Sequence, residues 1–343
     1  MFKIENTAIS KNSPVYTIAE IGVNHNGSIS NAIKMINYAK DAGFNAVKFQ
    51  TFVPNEMVID NSPLANYQKK TNYKTMKSML NKYKLTYNDF EKLKKITKKK
   101  NITFLSTPGD VKSAIFLNKL KVAAFKISSG DLDNFYLLSK IKEFKKPIII
   151  SSGMATRENL QETINFLKLN KKKLAILHCV SDYPTDIKNT FLSNINDLRK
   201  TGYAIGFSDH TIGNSAACSA VTLGAKIIEK HITLDKRMTG PDHACSLECR
   251  DLKKFIYEIK SVYKSINSKK RVLTKEEIST KKVARKSLYF FRNLKKGHTI
   301  NFKDIIPMRP VNNGISPKYF KNFIGKKLKR NVSRFSLLKK KSI

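Results

Sequence analysis

The sequence has few cysteines and no long apolar run. Its cysteines are Cys179, Cys218, Cys245 and Cys249, and no two of them form a Cys-x-x-Cys pair. Scattered thiols in a chain of this size favour a reducing compartment over a disulfide framework. Residues 1–14 lack the apolar core of a signal peptide, and no later segment approaches the roughly 18 apolar residues of a membrane span. We therefore expect a cytoplasmic protein without a secretion signal or a membrane-spanning helix.

Acidic residues are also scarce. The 343 residues include 65 lysines and arginines but only 26 aspartates and glutamates, which gives a formal charge of +39. This charge attracts anions, so a protein that binds nucleic acid on an inactive barrel is one hypothesis. Only 10 of the basic residues are arginines, and the sequence has no arginine- and aromatic-rich signature of nucleic-acid recognition. We interpret the charge as a compositional bias that speeds the arrival of an anionic substrate, and we expect neither nucleic-acid nor membrane binding.

The remaining composition is that of a globular protein, with 41% hydrophobic and 27% charged residues. Short apolar runs alternate with longer amphipathic stretches, a pattern typical of βα units around a parallel sheet. Eight apolar runs are predicted strands: 15–19, 46–49, 102–105, 123–127, 148–150, 174–177, 203–206 and 225–228. Eight such strands predict a closed (β/α)8 TIM barrel, which is an α/β fold.

Helical patterns and loops fill the rest of the chain. The predicted helices are 29–42, 86–99, 111–120, 157–167, 191–200, 214–223 and 252–266. Residues 53–84 are too long for a usual βα loop, so we expect a flap or an extra helix over the barrel mouth. After a barrel domain of residues 1–268, the polar segment 269–282 predicts a linker, and the short apolar runs of 283–343 predict a small second domain.

Polar residues follow every predicted strand. In a (β/α)8 barrel the active site lies at the C-terminal ends of the strands, so these residues share one rim. In chain order they are Glu20, Lys48, Gln50, Thr107, Lys126, Ser129, Ser151, His178, Ser208, His210, Glu229, Lys230 and His231. Polar residues at all eight strand ends predict a functional site at this rim.

Two kinds of ligand suit the predicted rim. Lys48 and Lys126 with nearby hydroxyls would form a cradle for phosphate and carboxylate, unless both lysines extend into solvent. The hydroxyls belong to Thr107, Ser129, Ser151 and Ser208. His210 and His231 follow neighbouring strands, where two imidazoles can share a divalent ion with water and substrate. Hydrogen-bonded core histidines are the alternative interpretation.

Nine strings along the barrel resemble the sialic acid synthase family. They are AEIGVNHNGS (19–28), VKFQTF (47–52), FLSTP (104–108), FKISSGDL (125–132), IIISSGMAT (148–156), LHCVSDYPT (177–185), IGFSDHT (205–211), IEKHITLD (228–235) and GPDHACSLE (240–248). Four more resemble the antifreeze-like (SAF) C-terminal domain of that family: ARKSLYF (284–290), KKGHTI (295–300), MRPVNNGISP (308–317) and FIGKKL (323–328). The resemblance covers nearly the whole chain.

The resemblance implies an activity. It is the condensation of phosphoenolpyruvate with a 2-acetamido aldose, such as N-acetylmannosamine or a 2,4-diacetamido relative. The product is a nine-carbon 2-keto sugar acid of the sialic or legionaminic type, and phosphate is released. The resemblance also implies a divalent metal, usually Mn²⁺ with Mg²⁺ or Co²⁺ as alternatives, and a domain-swapped homodimer. Lys48 and Lys126, expected inside the barrel, leave a Schiff-base aldolase on the same barrel as the alternative.

The resemblance further implies roles for single residues. Glu20 matches the carboxylate that handles a proton or activates water, and His210 and His231 match the metal ligands. The implied phosphoenolpyruvate contacts are Lys48, Thr107, Lys126, Ser129, Ser151 and Ser208. The implied sugar contacts are Gln50, Tyr183, Asp242 and Arg309, and Arg309 matches the arginine that the C-terminal domain inserts into the site of a partner subunit.

Overall fold

The chain forms two compact units, Met1–Asn267 and Ser268–Ile343. The computed structural model describes residues 1–268, 271–311 and 313–343, and of Lys70 the main chain only. The division lies next to the predicted end of the barrel domain at residue 268. Each unit has its own hydrophobic core, and the first one carries the predicted site.

Eight parallel strands form the barrel of the first unit. Each pairs with the next one along the chain, and the eighth also pairs with the first, which closes the sheet. The strands of this unit are β1 (Phe2–Ile4), β2 (Thr7–Ile9), β3 (Tyr16–Gly22), β4 (Ala46–Thr51), β5 (Thr103–Pro108), β6 (Phe125–Ile127), β7 (Ile148–Ser151), β8 (Leu174–Cys179), β9 (Ala204–Asp209), β10 (Ile227–Thr233) and β11 (Leu247–Glu248). Strands β3 to β10 are the barrel, so the predicted (β/α)8 fold is confirmed.

Helices surround the barrel. They are α1 (Ile29–Ala42), α2 (Pro54–Met57), α3 (Met76–Tyr83), α4 (Tyr87–Lys99), α5 (Val111–Lys119), α6 (Phe135–Glu143), α7 (Arg157–Leu167), α8 (Asn194–Lys200), α9 (Ser215–Thr222) and α10 (Leu252–Ile266). The extra helix expected within residues 53–84 is present as α2 and α3. The sequence analysis did not predict α6, although Leu137, Leu138 and Ile141 have helical spacing and form its buried face. Across the described part of the chain, no helix is both long and apolar enough to cross a membrane.

Side-chain caps determine where several helices begin. The Ser28 hydroxyl accepts a hydrogen bond from the backbone N–H of Asn31 at the start of α1, which ends at Gly43 with a left-handed φ of 91°. Thr86 and Thr156 cap α4 and α7 in the same way. Because the caps fix the residue at which each helix begins, they also fix the length of the loop between strand and helix, next to the polar residues at the strand ends.

The inside of the barrel is apolar at one end and polar at the other. Because side chains alternate along a strand, Ile227, Glu229 and His231 of β10 share the inner face. An apolar layer fills the N-terminal end of the barrel, and the β1–β2 hairpin packs against it through Phe2 and Ile4. The polar residues of the inner face therefore lie at the opposite, C-terminal end.

The second unit is a small β structure. It contains the antiparallel strands β12 (Ser287–Phe290) and β13 (Ile305–Met308). Asp304 is fully buried and accepts hydrogen bonds from Arg292 Nε at 2.7 Å, His298 Nε2 at 2.8 Å and the backbone N–H of Asn301 at 2.9 Å. Three donors on one carboxylate fix the turn that leads into β13.

The predicted linker 269–282 is in large part helical. Its first two residues lie outside the described part of the chain, and helix α11 (Lys275–Ala284) begins after Thr274, which forms a capping box with Glu277. Every side chain of α11 is exposed or half-buried. The helix therefore has no apolar face, which is why hydrophobic periodicity did not indicate it.

The turn after β3 buries a histidine. His25 Nδ1 accepts a hydrogen bond from the backbone N–H of Gly27 at 3.0 Å, and His25 is 1% exposed. Gly27 has a left-handed φ of 72°, and a Cβ there would lie 2.6 Å from the carbonyl oxygen of Lys82. Burial lowers the pKa of His25 to about 4, so the imidazole is neutral in the folded chain at neutral pH.

The free energy of unfolding should fall on acidification because of His25. An unfolded histidine binds a proton near its ordinary pKa of about 6.5, whereas folded His25 does so near about 4. The stabilisation is complete above the unfolded pKa and is lost as the pH falls toward the folded one, by about 3 kcal/mol over the full range. Urea unfolding between pH 7 and pH 5 should show a shallower dependence on pH for His25→Gln. His243, whose pKa burial also lowers to about 4, is present in both proteins, so equal slopes would contradict this assignment.

Candidate active site

The predicted site residues converge at the C-terminal end of the barrel. A pocket of about 120 Å³ lies there. It is lined by Glu20, Lys48, Gln50, Thr107, Lys126, Ser129, Ser151, Tyr183, Ser208, His210 and His231. Asp242 lines an adjoining cleft of about 80 Å³ that shares Gln50, Tyr183 and His231 with the pocket. Arg309 is exposed and belongs to the C-terminal unit.

Four buried charges of alternating sign form the floor of the pocket. Lys48 Nζ lies 2.7 Å from Glu20 Oε2 and 3.7 Å from Glu229 Oε2. Lys126 Nζ lies 3.7 Å from Glu229 Oε1, and this oxygen accepts a hydrogen bond from the Ser208 hydroxyl at 2.8 Å. Each of these buried charges has a counter-charge within 3.7 Å, which is the condition under which buried charges are tolerated.

The two lysines point into the pocket together with hydroxyl groups. Lys48 Nζ donates to Thr107 Oγ1 at 3.0 Å, and Lys126 Nζ donates to Ser151 Oγ at 2.5 Å. Lys48 and Lys126 are 4% and 2% exposed, so the alternative in which they extend into solvent is wrong. Ammonium and hydroxyl groups donate hydrogen bonds, and their convergence creates a site for a multiply charged anion.

Burial shifts the pKa values of these groups in different directions. It raises the pKa of Glu20 to about 7, although Lys48 works against this shift. Burial also lowers the pKa of Lys126, whereas the carboxylates of Glu20 and Glu229 outweigh burial at Lys48 and raise its pKa. A carboxyl group with a pKa near neutrality can both accept and return a proton, which is the property of a general acid–base group.

Glu229 is the site residue that the sequence analysis missed. It was placed at the rim but given no role. The sequence did contain one indication of its role, because Glu229 lies two residues before His231 and residues two apart on a strand face the same side. Its position between two lysines depends on the register of three strands. The sequence of one strand does not contain that information.

The two histidines face each other. The ring centroids of His210 and His231 are 5.4 Å apart, and the Tyr183 ring lies 4.1 Å from that of His210. His210 Nδ1 donates to the Val180 carbonyl oxygen at 2.7 Å, so Nε2 is the nitrogen that carries the lone pair in the neutral ring. Although burial works in the opposite direction, the neighbouring Cys179 raises the pKa of His210, so a metal ion at Nε2 would compete with a proton. His231 Nδ1 is buried 3.7 Å from Asp242 Oδ2 and has no hydrogen-bond partner among the described residues. Burial holds the pKa of His231 well below its usual value, so its imidazole is neutral.

These donors fit a divalent ion for which the protein supplies two ligands. Neutral imidazole nitrogens with free lone pairs are ligands for Mn²⁺ and similar ions. In the described part of the chain, no three His, Cys, Asp or Glu side chains gather as a complete metal site. Water and substrate oxygens would therefore have to complete the coordination at His210 and His231.

Comparison with known proteins places this site in a family context. The sequence model of the NeuB family matches residues 35–271. The chain is 37% identical to an N,N'-diacetyllegionaminic acid synthase of Campylobacter jejuni over 94% of this chain and 98% of that protein. It is 34% identical to the enzyme of the same name from Legionella pneumophila, over 93% of this chain and 91% of that protein.

A solved structure shows the same fold. The crystal structure of an N-acetylneuraminic acid (sialic acid) synthetase from Leptospira borgpetersenii, in complex with citrate, is similar to this chain with a TM-score of 0.73 and 33% sequence identity. The match covers 81% of this chain and 94% of that one. The fold and much of the sequence are thus shared over most of the chain.

A buried ion pair lies directly behind the two histidines. Lys230 Nζ lies 2.8 Å from Asp209 Oδ2, and both residues are 1% exposed. Asp209 Oδ1 accepts hydrogen bonds from the backbone N–H and the hydroxyl of Thr211, each at 2.8 Å. Because Asp209 precedes His210 and Lys230 precedes His231, the pair joins the two strand ends that carry the imidazoles.

Removal of one partner of this pair should destabilise the barrel strongly. Lys230→Met leaves the Asp209 carboxylate buried without its counter-charge and should cost about 3–5 kcal/mol of unfolding free energy, measured by urea denaturation. Lys188→Met is the matched control, because it breaks an exposed pair with Asp186 and should cost less than about 1 kcal/mol. The double variant Asp209→Asn/Lys230→Met should lose less than the sum of its single variants. Equal losses for Lys230→Met and Lys188→Met would contradict the role of the pair.

Proposed function

The chain belongs to the NeuB family, and on this premise we propose that it condenses phosphoenolpyruvate with a 2-acetamido aldose. The products are a nine-carbon 2-keto sugar acid and phosphate. The observation that carries this proposal is the pocket itself. Two buried ammonium groups and several hydroxyls lie there beside a carboxyl group with a pKa of about 7 and two facing imidazoles.

Phosphoenolpyruvate carries a phosphate and a carboxylate, and the pocket offers two separate cations. Lys48 with Thr107 and Lys126 with Ser151 form two donor sets on neighbouring strands. Ser129 and Ser208 line the same pocket. Directed donors of this kind hold the enol phosphate in one orientation, which lowers the entropic part of the barrier.

The proposed reaction forms a carbon–carbon bond and a carbon–oxygen bond to water, and it breaks the carbon–oxygen bond to phosphate. Carbon 3 of the enol phosphate attacks the aldehyde carbon with the electrons of its double bond, protonated Glu20 gives its proton to the aldehyde oxygen, and positive charge develops on carbon 2. Water adds to carbon 2 and gives one proton to the Glu20 carboxylate; phosphate then leaves with its bonding electrons and takes the remaining hydroxyl proton as the keto group forms. A divalent ion bound by His210 and His231, for which we propose Mn²⁺, would supply a Lewis acid that polarises the aldehyde.

The cleft beside His231 supports a sugar with apolar substituents. Val23, Met79, Leu80, Tyr83 and Pro241 contribute much of its lining, together with the polar side chains Gln50 and Asp242. An apolar wall suits an acetamido methyl group or a deoxy position, and the polar side chains suit hydroxyl groups. The relatives from Campylobacter jejuni and Legionella pneumophila are named as diacetyllegionaminic acid synthases. We therefore propose a 2,4-diacetamido aldose as the preferred substrate.

The purified protein should release phosphate only when phosphoenolpyruvate, an acetamido aldose and a divalent ion are all present. We expect kcat/KM to be higher for 2,4-diacetamido-2,4,6-trideoxymannose than for N-acetylmannosamine. Treatment with a chelator should abolish turnover and Mn²⁺ should restore it. Lys126→Met should lower kcat/KM by about 100-fold or more, the effect of a charged hydrogen-bond donor lost from a buried site. The exposed Lys34→Met is the matched control. Turnover that is insensitive to chelator would refute the metal proposal.

A Schiff-base aldolase is the competing function, because burial lowers the pKa of Lys126 and thereby favours its nucleophilic neutral form. Borohydride treatment in the presence of pyruvate would trap such an intermediate as a covalent adduct. An adduct on Lys126, without phosphate release from phosphoenolpyruvate, would overturn the condensation proposal in favour of the aldolase.

We also propose that the C-terminal unit is an antifreeze-like domain whose Arg309 completes the sugar site of a partner subunit in a homodimer. Arg309 is exposed directly after β13, within the MRPVNNGISP string. The described residues that line the sugar cleft include Asp242 but no arginine. An acetamido oxygen or a sugar hydroxyl would thus gain a cationic donor from the partner.

Arg309→Ala should raise the KM for the sugar about 10- to 100-fold and leave the KM for phosphoenolpyruvate unchanged, since a charged hydrogen bond is worth about 1.5–3 kcal/mol. Arg285→Ala, an exposed arginine of the same unit, is the control. Co-expression of Arg309→Ala with the inactive His231→Ala should restore activity, because the mixed dimer contains one intact site. Failure to complement would contradict a role in the partner subunit's site.

A further inference from the structure

We propose that a second cavity, on the outside of the barrel, binds an amphipathic organic anion and couples it to the active site. This cavity has a volume of about 900 Å³ and lies between α7, α8 and the end of β8. Small-molecule sites have volumes of about 300–1,000 Å³, a range that the catalytic pocket does not reach. None of the residues assigned to catalysis, phosphoenolpyruvate or sugar lines the cavity. The proposal therefore goes beyond the function described above.

One wall of the cavity is apolar. Leu160 and Ile164 of α7 face Leu198 of α8 across it. Met154 and Phe191 lie at the cavity as well, and they are 73% and 59% exposed. Large apolar side chains left in contact with water favour binding of an apolar body. A ring or a short alkyl group is thus the chemistry that this wall recognises.

The cavity also carries excess positive charge. Arg157 of α7 pairs with Asp197 of α8 at 3.0 Å, and Lys200 pairs with the same carboxylate at 2.7 Å. Arg157 and Lys200 line the cavity, and their side chains are both 78% exposed. Two cations around one carboxylate leave one positive charge without compensation in this group. An anionic ligand complements it.

Two polar groups deeper in the cavity are available to a ligand. The Ser181 hydroxyl is buried and has no hydrogen-bond partner in the described part of the chain. His178 Nε2 donates to the Thr190 carbonyl oxygen at 2.7 Å, and burial lowers the pKa of His178, so Nδ1 carries a lone pair. A buried hydroxyl without a partner costs free energy, and a polar atom of the ligand would recover it.

Cys179 connects this cavity to the active site, because its side chain lines both. Its Sγ lies 3.6 Å from Ser129 Oγ and 3.8 Å from His210 Nδ1. Ser129 Oγ in turn accepts a hydrogen bond from the backbone N–H of Gly153 at 3.1 Å. A ligand against Cys179 thereby displaces a group that holds Ser129, a member of the proposed phosphate cradle. Only this coupling step rests on the proposed function.

The binding step is tested with 8-anilinonaphthalene-1-sulfonate, an aromatic sulfonate, by fluorescence titration of the full chain. We expect saturable binding to one site. Gln161 lines the cavity and is exposed, so Gln161→Trp places an indole ring in part of the cavity without disturbing the core and should weaken binding about tenfold or more. Unchanged affinity in Gln161→Trp would show that the probe binds elsewhere and would overturn the site.

The charge requirement is tested with a second pair of variants. Arg157→Ala/Lys200→Ala should weaken binding of the sulfonate but not of the neutral N-phenyl-1-naphthylamine. Lys92→Ala/Lys95→Ala is the control, since it removes the same charge from the exposed side of α4. If both double variants lose the same affinity for the sulfonate, the loss reflects the overall charge of the protein, and the anion site is refuted.

The coupling step is tested by titration of the sulfonate with and without phosphoenolpyruvate. Linkage requires each ligand to change the dissociation constant of the other by the same factor, and we expect at least a threefold change. If phosphoenolpyruvate binds by calorimetry but the two dissociation constants are independent, the coupling is wrong. If phosphoenolpyruvate does not bind at all, the proposed function fails, while the two preceding titrations still decide whether the cavity is a site.

Discussion

The active site depends on four charges that are buried inside the barrel and cancel one another. Glu20 and Glu229 lie beside Lys48 and Lys126, so each buried charge has a neighbour of opposite sign. An anion that enters such a balanced cluster adds negative charge to it. Glu20, with a pKa of about 7, is the group that can take up a proton in response. On the proposed function, substrate binding would therefore load Glu20 with the proton that it gives to the aldehyde oxygen, and the carboxylate left behind would then accept a proton from water.

On the proposed function, substrate recognition is divided between strands and loops. The groups proposed to hold phosphoenolpyruvate lie on or directly after barrel strands, where the closed sheet fixes their spacing. The sugar cleft is built from longer connections, with Asp242 from the segment after β10 and Tyr83 from the end of α3. Loops vary more readily than strands. This division is consistent with relatives whose names specify different amino-sugar acids.

Sequence patterns predicted the barrel and the composition of its rim, because eight apolar runs and the polar residues after them are local features. They did not predict helix α11, which has no apolar face. The short helix α6 was overlooked, although its buried residues have helical spacing. The role of Glu229 and the pair of Asp209 with Lys230 depend on which residues lie side by side on adjacent strands. The cavity between α7 and α8 depends on how far apart two helices pack. Register and packing distance are long-range properties that a single sequence does not display.

The C-terminal unit achieves its order without any covalent cross-link. All four cysteines of the chain lie in the barrel unit, so this small unit has no disulfide, and small units generally require some internal staple. The buried Asp304 carboxylate, with its three donors, serves as that staple. Strand β13 begins at Ile305, the residue after Asp304, and Arg309 directly follows the end of this strand. The position of Arg309 within its own unit is thus fixed by a hydrogen-bonded turn, and on the proposed function this would hold the guanidinium in one orientation before a partner subunit binds.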